Sequence, residues 1–199
     1  SLIDMDRAIA IIESAILNKK KIAIYGDYDV DGITSTAILV KYLRALSVDV
    51  VWHIPTRDGE GYGLNISAID EIKALGADLI ITVDCGISCV TEVNHIHDLG
   101  MQVVVTDHHL PEENLPSADA VINPKRNNDT SGLNYLAGVG VAFLTLVALN
   151  RKLKSCNNDD IRDKAEQINL LNYLDLVALG TICDTMPLIG LNRAFVATG

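Results

Sequence analysis

Apolar positions along this chain repeat with two different periods, and the two alternate. Residues 5–19 (MDRAIAIIESAILNK) return to apolar side chains every three or four positions, the spacing of an amphipathic helix. KIAIYG follows, a short apolar run with β-propensity. The alternation continues with ITSTAILVKYLRAL as a helix beginning just after Gly32, VDVVWHIP as a strand, NISAIDEIKALG as a helix with Gly76 past its end, and ADLIITVD as a strand. CVTEVNHIHDLG then reads as a helix, MQVVVTD as a strand and ADAVINP as a last short strand. Strands that are apolar throughout and separated by helices predict an α/β fold, a mostly parallel sheet with helices on both faces. That sheet portion covers about 20–124, and a helical C-terminal extension covers about 136–199. In the extension LAGVGVAFLTLVALNRKLK and INLLNYLDLVALGTICD read as two helices joined by the polar segment SCNNDDIRDKAEQ.

In open parallel sheets ligands collect at the carboxyl ends of the strands. Here KIAIYG runs into Asp27, Asp29 and Asp31, DLIITV into Asp84, and QVVVT into Asp107, His108 and His109. Acidic and imidazole side chains are therefore expected along one rim of the sheet.

The segment GDYDVDG matches the first half of an EF-hand calcium loop, but position twelve of that loop would be Ile38 rather than glutamate, and a strand precedes it. Turn residues or helix caps are the plainer reading of three aspartates, and Asp31, just before GITSTAIL, is the best candidate for a cap. Crowded carboxylates repel one another unless a cation joins them. Several carboxylates with one imidazole and no thiolate suit Mn²⁺ or Mg²⁺ better than structural zinc. In VTDHHLP one imidazole is expected on the metal and one free for chemistry, whereas His53, His95 and His97 stand in no such strand-end Asp-His-His group and read as structural.

Composition adjusts this picture at three points. With 49% apolar residues and a mean hydropathy of +0.24 the chain can bury a sizeable core, and no apolar run approaches a membrane span. Cys85, Cys89, Cys156 and Cys183 have no paired zinc spacing and fit reduced thiols of a cytoplasmic protein. A net charge of −10 argues against a broad nucleic-acid-binding face, except that metal-binding carboxylates inflate that figure and a further domain could carry basic surface.

Taken together, GDYDVDG, TVDCGIS, VVVTDHHLP and ALGTICDTMPL resemble the four ordered motifs of the DHH phosphoesterase superfamily, whose name matches the triplet Asp107-His108-His109. IPTRDGEGYGLN, LAGVGVAF and LGTICDTMPLIGLNRA are similar to the RecJ-type branch of that superfamily. The resemblance spans nearly the whole chain and implies that 1–199 is a DHH catalytic domain. It implies two divalent cations, Mn²⁺ or Mg²⁺. Asp84 would bridge them and count, with His109, among the catalytic residues. Asp31, His108 and Asp184 would complete one site and Asp29 the other. Asp27 would serve as a ligand or stand behind one, because relatives carry histidine where this chain has Tyr25. Asp107 would orient His108. His109 and Arg57 would bind substrate phosphate.

The implied activity is metal-dependent hydrolysis of single-stranded DNA from its 5′ end, in DNA repair and recombination. Other repair proteins would be partners, and no membrane would be involved. Relatives carry further domains after this lobe, so the chain alone is expected to fold and bind metal but to degrade DNA weakly. The same motifs leave room for a phosphoesterase acting on cyclic dinucleotides or short oligonucleotides. A receiver-like domain phosphorylated at Asp84 needs no His-His pair, and a non-catalytic scaffold would have lost ligands that are present here. Gly138 and Gly140 open a helix without the Lys-Ser/Thr ending of a nucleotide-binding loop, so close packing is the expected reason for them.

Overall fold

Four short runs of β-branched and aliphatic residues lie side by side in the computed structural model, which describes residues 1–56 and 62–199. They are β1 (Ile22–Tyr25), β2 (Val50–His53), β3 (Leu79–Val83) and β4 (Gln102–Thr106), and a fifth strand, β5 (Ala120–Ile122), extends the row. The order is β2-β1-β3-β4-β5 and every neighbouring pair is parallel. Ile24 sits opposite Trp52 on one side and Ile81 on the other. β1 and β3 are buried along their whole length, as expected of inner strands covered on both faces, whereas the edge strand β2 is buried only at Val50 and leaves Trp52 exposed.

The strand period of two divides the core into two layers. Ile22, Ile24, Leu79, Ile81, Val83 and Val104 point to one face, against α1 (Met5–Leu17), α2 (Val30–Ala45) and α5 (Gly138–Leu153). Ala23, Tyr25, Ile80, Val103 and Val105 point to the other, against α3 (Ile66–Ala74) and α4 (Val90–Asp98). The chain moves outward from β1 to β2 and then returns to place β3 on the opposite side of β1, so the strand order reverses between β1 and β3. A crevice outside the strand ends is expected at that point.

The helical extension differs from its expected outline. The polar segment 155–167 is not only a joint: it contains α6 (Asp159–Gln167), capped by the Asn158 side chain accepting from the Ile161 N–H and carrying Asp159 and Asp160 in its first turn. The next segment is not one helix. Asn169 turns the chain into a 3₁₀ turn over Leu170–Tyr173 before α7 (Leu174–Cys183) begins, and α8 (Gly190–Thr198) closes the chain. α2 also begins earlier than the apolar pattern suggests, at Val30 rather than after Gly32, because Asp29 caps it. Among the described residues no helix is long and apolar enough to cross a membrane, and all four cysteines are free thiols.

α7 reaches the sheet rim by pressing closely on α2. A Cβ at Gly180 would run into Thr34, with Val139 at 2.9 Å and Asp31 at 3.0 Å. Gly180→Ala should therefore destabilise the fold by about 1–3 kcal/mol through overpacking, read as a lowered urea midpoint at unchanged slope.

Candidate metal centre

Strand ends and helix starts bring the acidic residues to the crevice. Asp27 lies two residues past β1, is buried, and its Oδ1 accepts from the Tyr28 N–H at 2.7 Å. Asp29 is the cap of α2, its Oδ1 accepting from the Gly32 N–H at 2.9 Å, and its side chain is exposed. The cap is thus Asp29 and not Asp31, because Asp29 has the extended backbone an N-cap needs while Asp31 already lies within the helix. Asp31 is 1% exposed and reaches across to the start of α5, accepting from the N–H groups of Gly138 (2.7 Å) and Val139 (2.8 Å). The N-terminus of that helix is thus occupied by the protein's own Asp31 carboxyl group. Gly138 is required on a second count, since a Cβ there would collide with the Asp84 carboxylate.

Asp84 follows β3 in a left-handed conformation (φ 60°), with its N–H held by the Thr106 carbonyl at 3.0 Å. A non-glycine residue there is strained, and such strain gathers at functional sites. Asp184 ends α7 and is followed by Thr185, also left-handed (φ 55°).

β4 delivers the two histidines, and their surroundings separate them. Nδ1 of His108 lies 3.1 Å from the Leu136 carbonyl. A carbonyl only accepts, so Nδ1 carries the proton and Nε2 the lone pair. Nε2 lies 3.1 Å from Asp84 Oδ1, 3.6 Å from Asp184 Oδ2 and 3.7 Å from Asp31 Oδ2. Burial, reinforced by the neighbouring His109 charge, pulls His108 down to about 4, so the ring is neutral at physiological pH.

Asp107 is fully buried; its Oδ2 accepts from the Ile87 N–H, and its Oδ1 from the N–H groups of His108 and His109 and from His109 Nδ1 at 2.7 Å. Burial alone would raise its pKa, but these hydrogen bonds and the His109 charge hold it below the usual carboxylate range. The Asp107 side chain therefore holds the His109 ring, and touches His108 only through the backbone. The hydrogen bond that His109 donates to Asp107 in turn raises the His109 pKa, and the His109 side chain is 42% exposed.

Three groups of side chains place ligand atoms within 4.8 Å of one another: Asp31, His108 and Asp184; Asp27, Asp29 and Asp84; and Asp84, His108 and His109. Asp84 and His108 each belong to two groups. Arg57 lies outside the described residues. His95 and His97 pair with Asp70 and Asp119 on the surface, and His53 packs on Tyr25.

A cation fits this arrangement on the chemistry of its donors. Asp84 Oδ1, His108 Nε2 and Asp184 Oδ2 are buried and have no hydrogen-bond partner among the described residues. Buried polar atoms are rarely left so, and a lone pair on His108 Nε2 facing a carboxylate oxygen at 3.1 Å is repulsive with nothing positive between them. The carboxylates register the same crowding. Burial and the charges of Asp184 and Asp29 push Asp31 up to about 7 against the opposing pull of the α5 amides. Burial and its acidic neighbours also raise Asp84 well above the ordinary range, and burial raises Asp27 and Asp184.

Two contacts here had no marker in the apolar pattern. The Tyr62 hydroxyl lies 2.8 Å from His109 Nδ1. Asn123, buried at the end of β5, donates to the His109 carbonyl at 2.9 Å. The only sign of them was their place in GYGLN and ADAVINP.

With this geometry in hand, known proteins give a consistent comparison. The family model described as "DHH family, N-terminal domain" matches residues 21–181. The single-stranded-DNA-specific exonuclease RecJ of Dickeya dadantii is 44% identical over 194 residues, 97% of this chain and 34% of that protein. RecJ of Thermus thermophilus is 41% identical over 96% of this chain and 26% of its own length. A crystal structure of exonuclease RecJ bound to manganese superposes with a TM-score of 0.85 at 40% identity, covering all of this chain and 48% of the other. The Mn²⁺ complex of Thermus thermophilus RecJ gives 0.80 at 38%, covering all of this chain and 27% of the other. The chain spans about a third of the length of the first of these curated relatives.

The raised carboxylates carry a sign for pH. Folded Asp31 holds its proton up to about 7, whereas unfolded it releases it near 3.8, so between those values the folded state binds more protons and stability falls as pH rises. EDTA-treated protein should melt at a lower temperature at pH 8 than at pH 6. Added Mn²⁺ should raise the melting temperature more at pH 8, where fewer protons must be displaced. Asp31→Asn should flatten the metal-free profile in the same calorimetric series.

Proposed function

The chain belongs to the DHH family, and from that premise we propose that it is a catalytic lobe that hydrolyses phosphodiester bonds of single-stranded DNA with two divalent cations, Mn²⁺ or Mg²⁺. The observation that carries the reading is the meeting of three buried ligand atoms on Asp84, His108 and Asp184 that have no hydrogen-bond partner among the described residues. They come from the ends of β3, β4 and α7, which are far apart in sequence. Asp31, His108 and Asp184 would hold one cation and Asp29 with Asp27 the other, with Asp84 shared between them. Such cations supply Lewis acidity, lowering the pKa of a water and neutralising phosphate charge.

The chain's own residues do the rest. His108 presents a neutral lone pair because Leu136 occupies its other nitrogen. Asp31 is fixed by two amides and cannot swing away from the site. His109 is partly open to solvent and kept basic by Asp107, so it is placed to donate to a phosphate oxygen as negative charge grows there. Arg57, from the segment next to Tyr62, would grip a further phosphate oxygen. Attack from the 5′ end, a cytoplasmic role in repair and recombination, repair-protein partners and further substrate-binding domains in the full-length protein belong to the same reading as what the family resemblance implies, and the relatives' names support its single-stranded-DNA-specific exonuclease part.

Asp84→Ala should abolish Mn²⁺-dependent release of nucleotides from a 5′-labelled single strand. His109→Ala should leave Mn²⁺ binding by calorimetry intact while lowering kcat by about 10²-fold. Loss of Mn²⁺ from His109→Ala with retention by His108→Ala would reverse the roles within the pair. A panel of cyclic dinucleotides and short oligonucleotides run beside the single strand checks the substrate.

A further inference from the structure

The phenol of Tyr62 touches the one catalytic imidazole that no metal ligand holds. Its oxygen is 2.8 Å from Nδ1 and 3.3 Å from Nε2 of His109, and the two rings meet edge to face at 5.4 Å and 77°. The shorter contact is to Nδ1, so Tyr62 sits on the Nδ1 edge of the ring and Nε2 is the freer nitrogen. Asp107 takes Nδ1, Asn123 takes the backbone carbonyl, and the His108 ring lies alongside at 4.5 Å. A ring held only through Nδ1 can still rock about that hydrogen bond, which would sweep Nε2 across the site.

The type of group matters: a hydroxyl can donate or accept by turning about its C–O bond, whereas a carbonyl, a carboxylate or an ammonium can do only one. The Tyr62 ring is half exposed, yet its hydroxyl is turned inward, 3.5 Å from the Asp84 carbonyl. That orientation suits a positioning role better than a stacking platform, for which the ring face rather than the hydroxyl would do the work.

We infer that Tyr62 is a positioning residue for His109, its hydroxyl holding the Nδ1 edge of the imidazole so that Nε2 stays aimed at the substrate phosphate. The inference rests on the role proposed for His109. Losing one hydrogen bond of this kind costs about 5- to 10-fold in rate.

Tyr62→Phe should therefore lower kcat on a single-stranded oligonucleotide with Mn²⁺ by about 5- to 10-fold, with KM, Mn²⁺ affinity and melting temperature unchanged. Added to His109→Ala it should cost nothing more, because the two act as a unit. A Tyr62→Phe protein with wild-type kcat would overturn the inference, as would effects of Tyr62→Phe and His109→Ala that multiply. So would a neutral Tyr62→Phe beside a Tyr62→Ala that raises KM, which marks a stacking platform. A wild-type chain without Mn²⁺-dependent hydrolysis sinks the underlying activity instead. The contact itself is then decided by ¹⁵N spectra of the His109 ring, whose Nδ1 resonance must move in Tyr62→Phe; an unmoved resonance refutes it.

Discussion

A buried carboxylate held on the end of a distant helix organises this molecule. Asp31 belongs to the first turn of α2, directly after β1, and its two oxygens accept from the first amides of α5, more than a hundred residues further along. Those amides have no partner within their own helix, so the pairing satisfies both ends at once. It ties the helical half of the chain to the rim where the strands end. It also sets the position of Leu136, two residues before α5, whose carbonyl fixes the tautomer of His108. With α7 packed on α2 through Gly180, Asp184 is brought to the same place. Removing the Asp31 contact would therefore loosen the ligand set as well as the fold.

Adjacent histidines receive opposite treatment within this frame. His108 is buried, neutral and aimed at carboxylates. His109, one peptide unit away, is partly open and raised by a fully buried aspartate. Their partners account for the difference, because the rings lie side by side at 4.5 Å while Leu136 and the carboxylates face the first and Asp107 holds the second. The Asp107 side chain reinforces the division by gripping both backbone amides and only the second imidazole. Sequence reading had given Asp107 to His108. The structure gives its side-chain bond to His109.

Much of the fold was legible because inner strands of a parallel sheet must be apolar on both sides, and β1, β3 and β4 stand out as such runs bounded by acidic residues. Their carboxyl ends could be placed on one rim by topology alone. The cap at Asp29 could not, since a helix can start at any of three nearby aspartates and only tertiary contact decides which one turns inward. α6 was hidden by its polarity: it has few apolar residues to mark a buried stripe, and its signals lie in its Asn158 cap and first-turn acids. Asp184 entered only through family resemblance, as nothing local distinguishes an aspartate at a helix end that closes a metal site from one in solvent. Gly138 was expected to be there for packing. It is, but against the Asp84 carboxylate rather than the apolar sheet.

The net charge of −10 takes on a different meaning once the site is seen. As a whole-chain figure it opposes binding to a polyanion. Yet Asp27, Asp31 and Asp84 are buried beside one another, where their ionised forms are disfavoured, and Asp184 is drawn the same way. Negative charge confined to a crevice acts differently from the same charge spread over a surface. It attracts compact divalent cations strongly and is screened from a long anion by those cations once they are bound. Around the rim stand groups that suit phosphate. Lys125 follows Asn123, which takes the Lys125 N–H at 2.7 Å and so turns the loop, and its charge is felt at His108, His109 and Asp184. On the proposed function, an acidic lobe can therefore accept an acidic substrate once cations occupy the crevice.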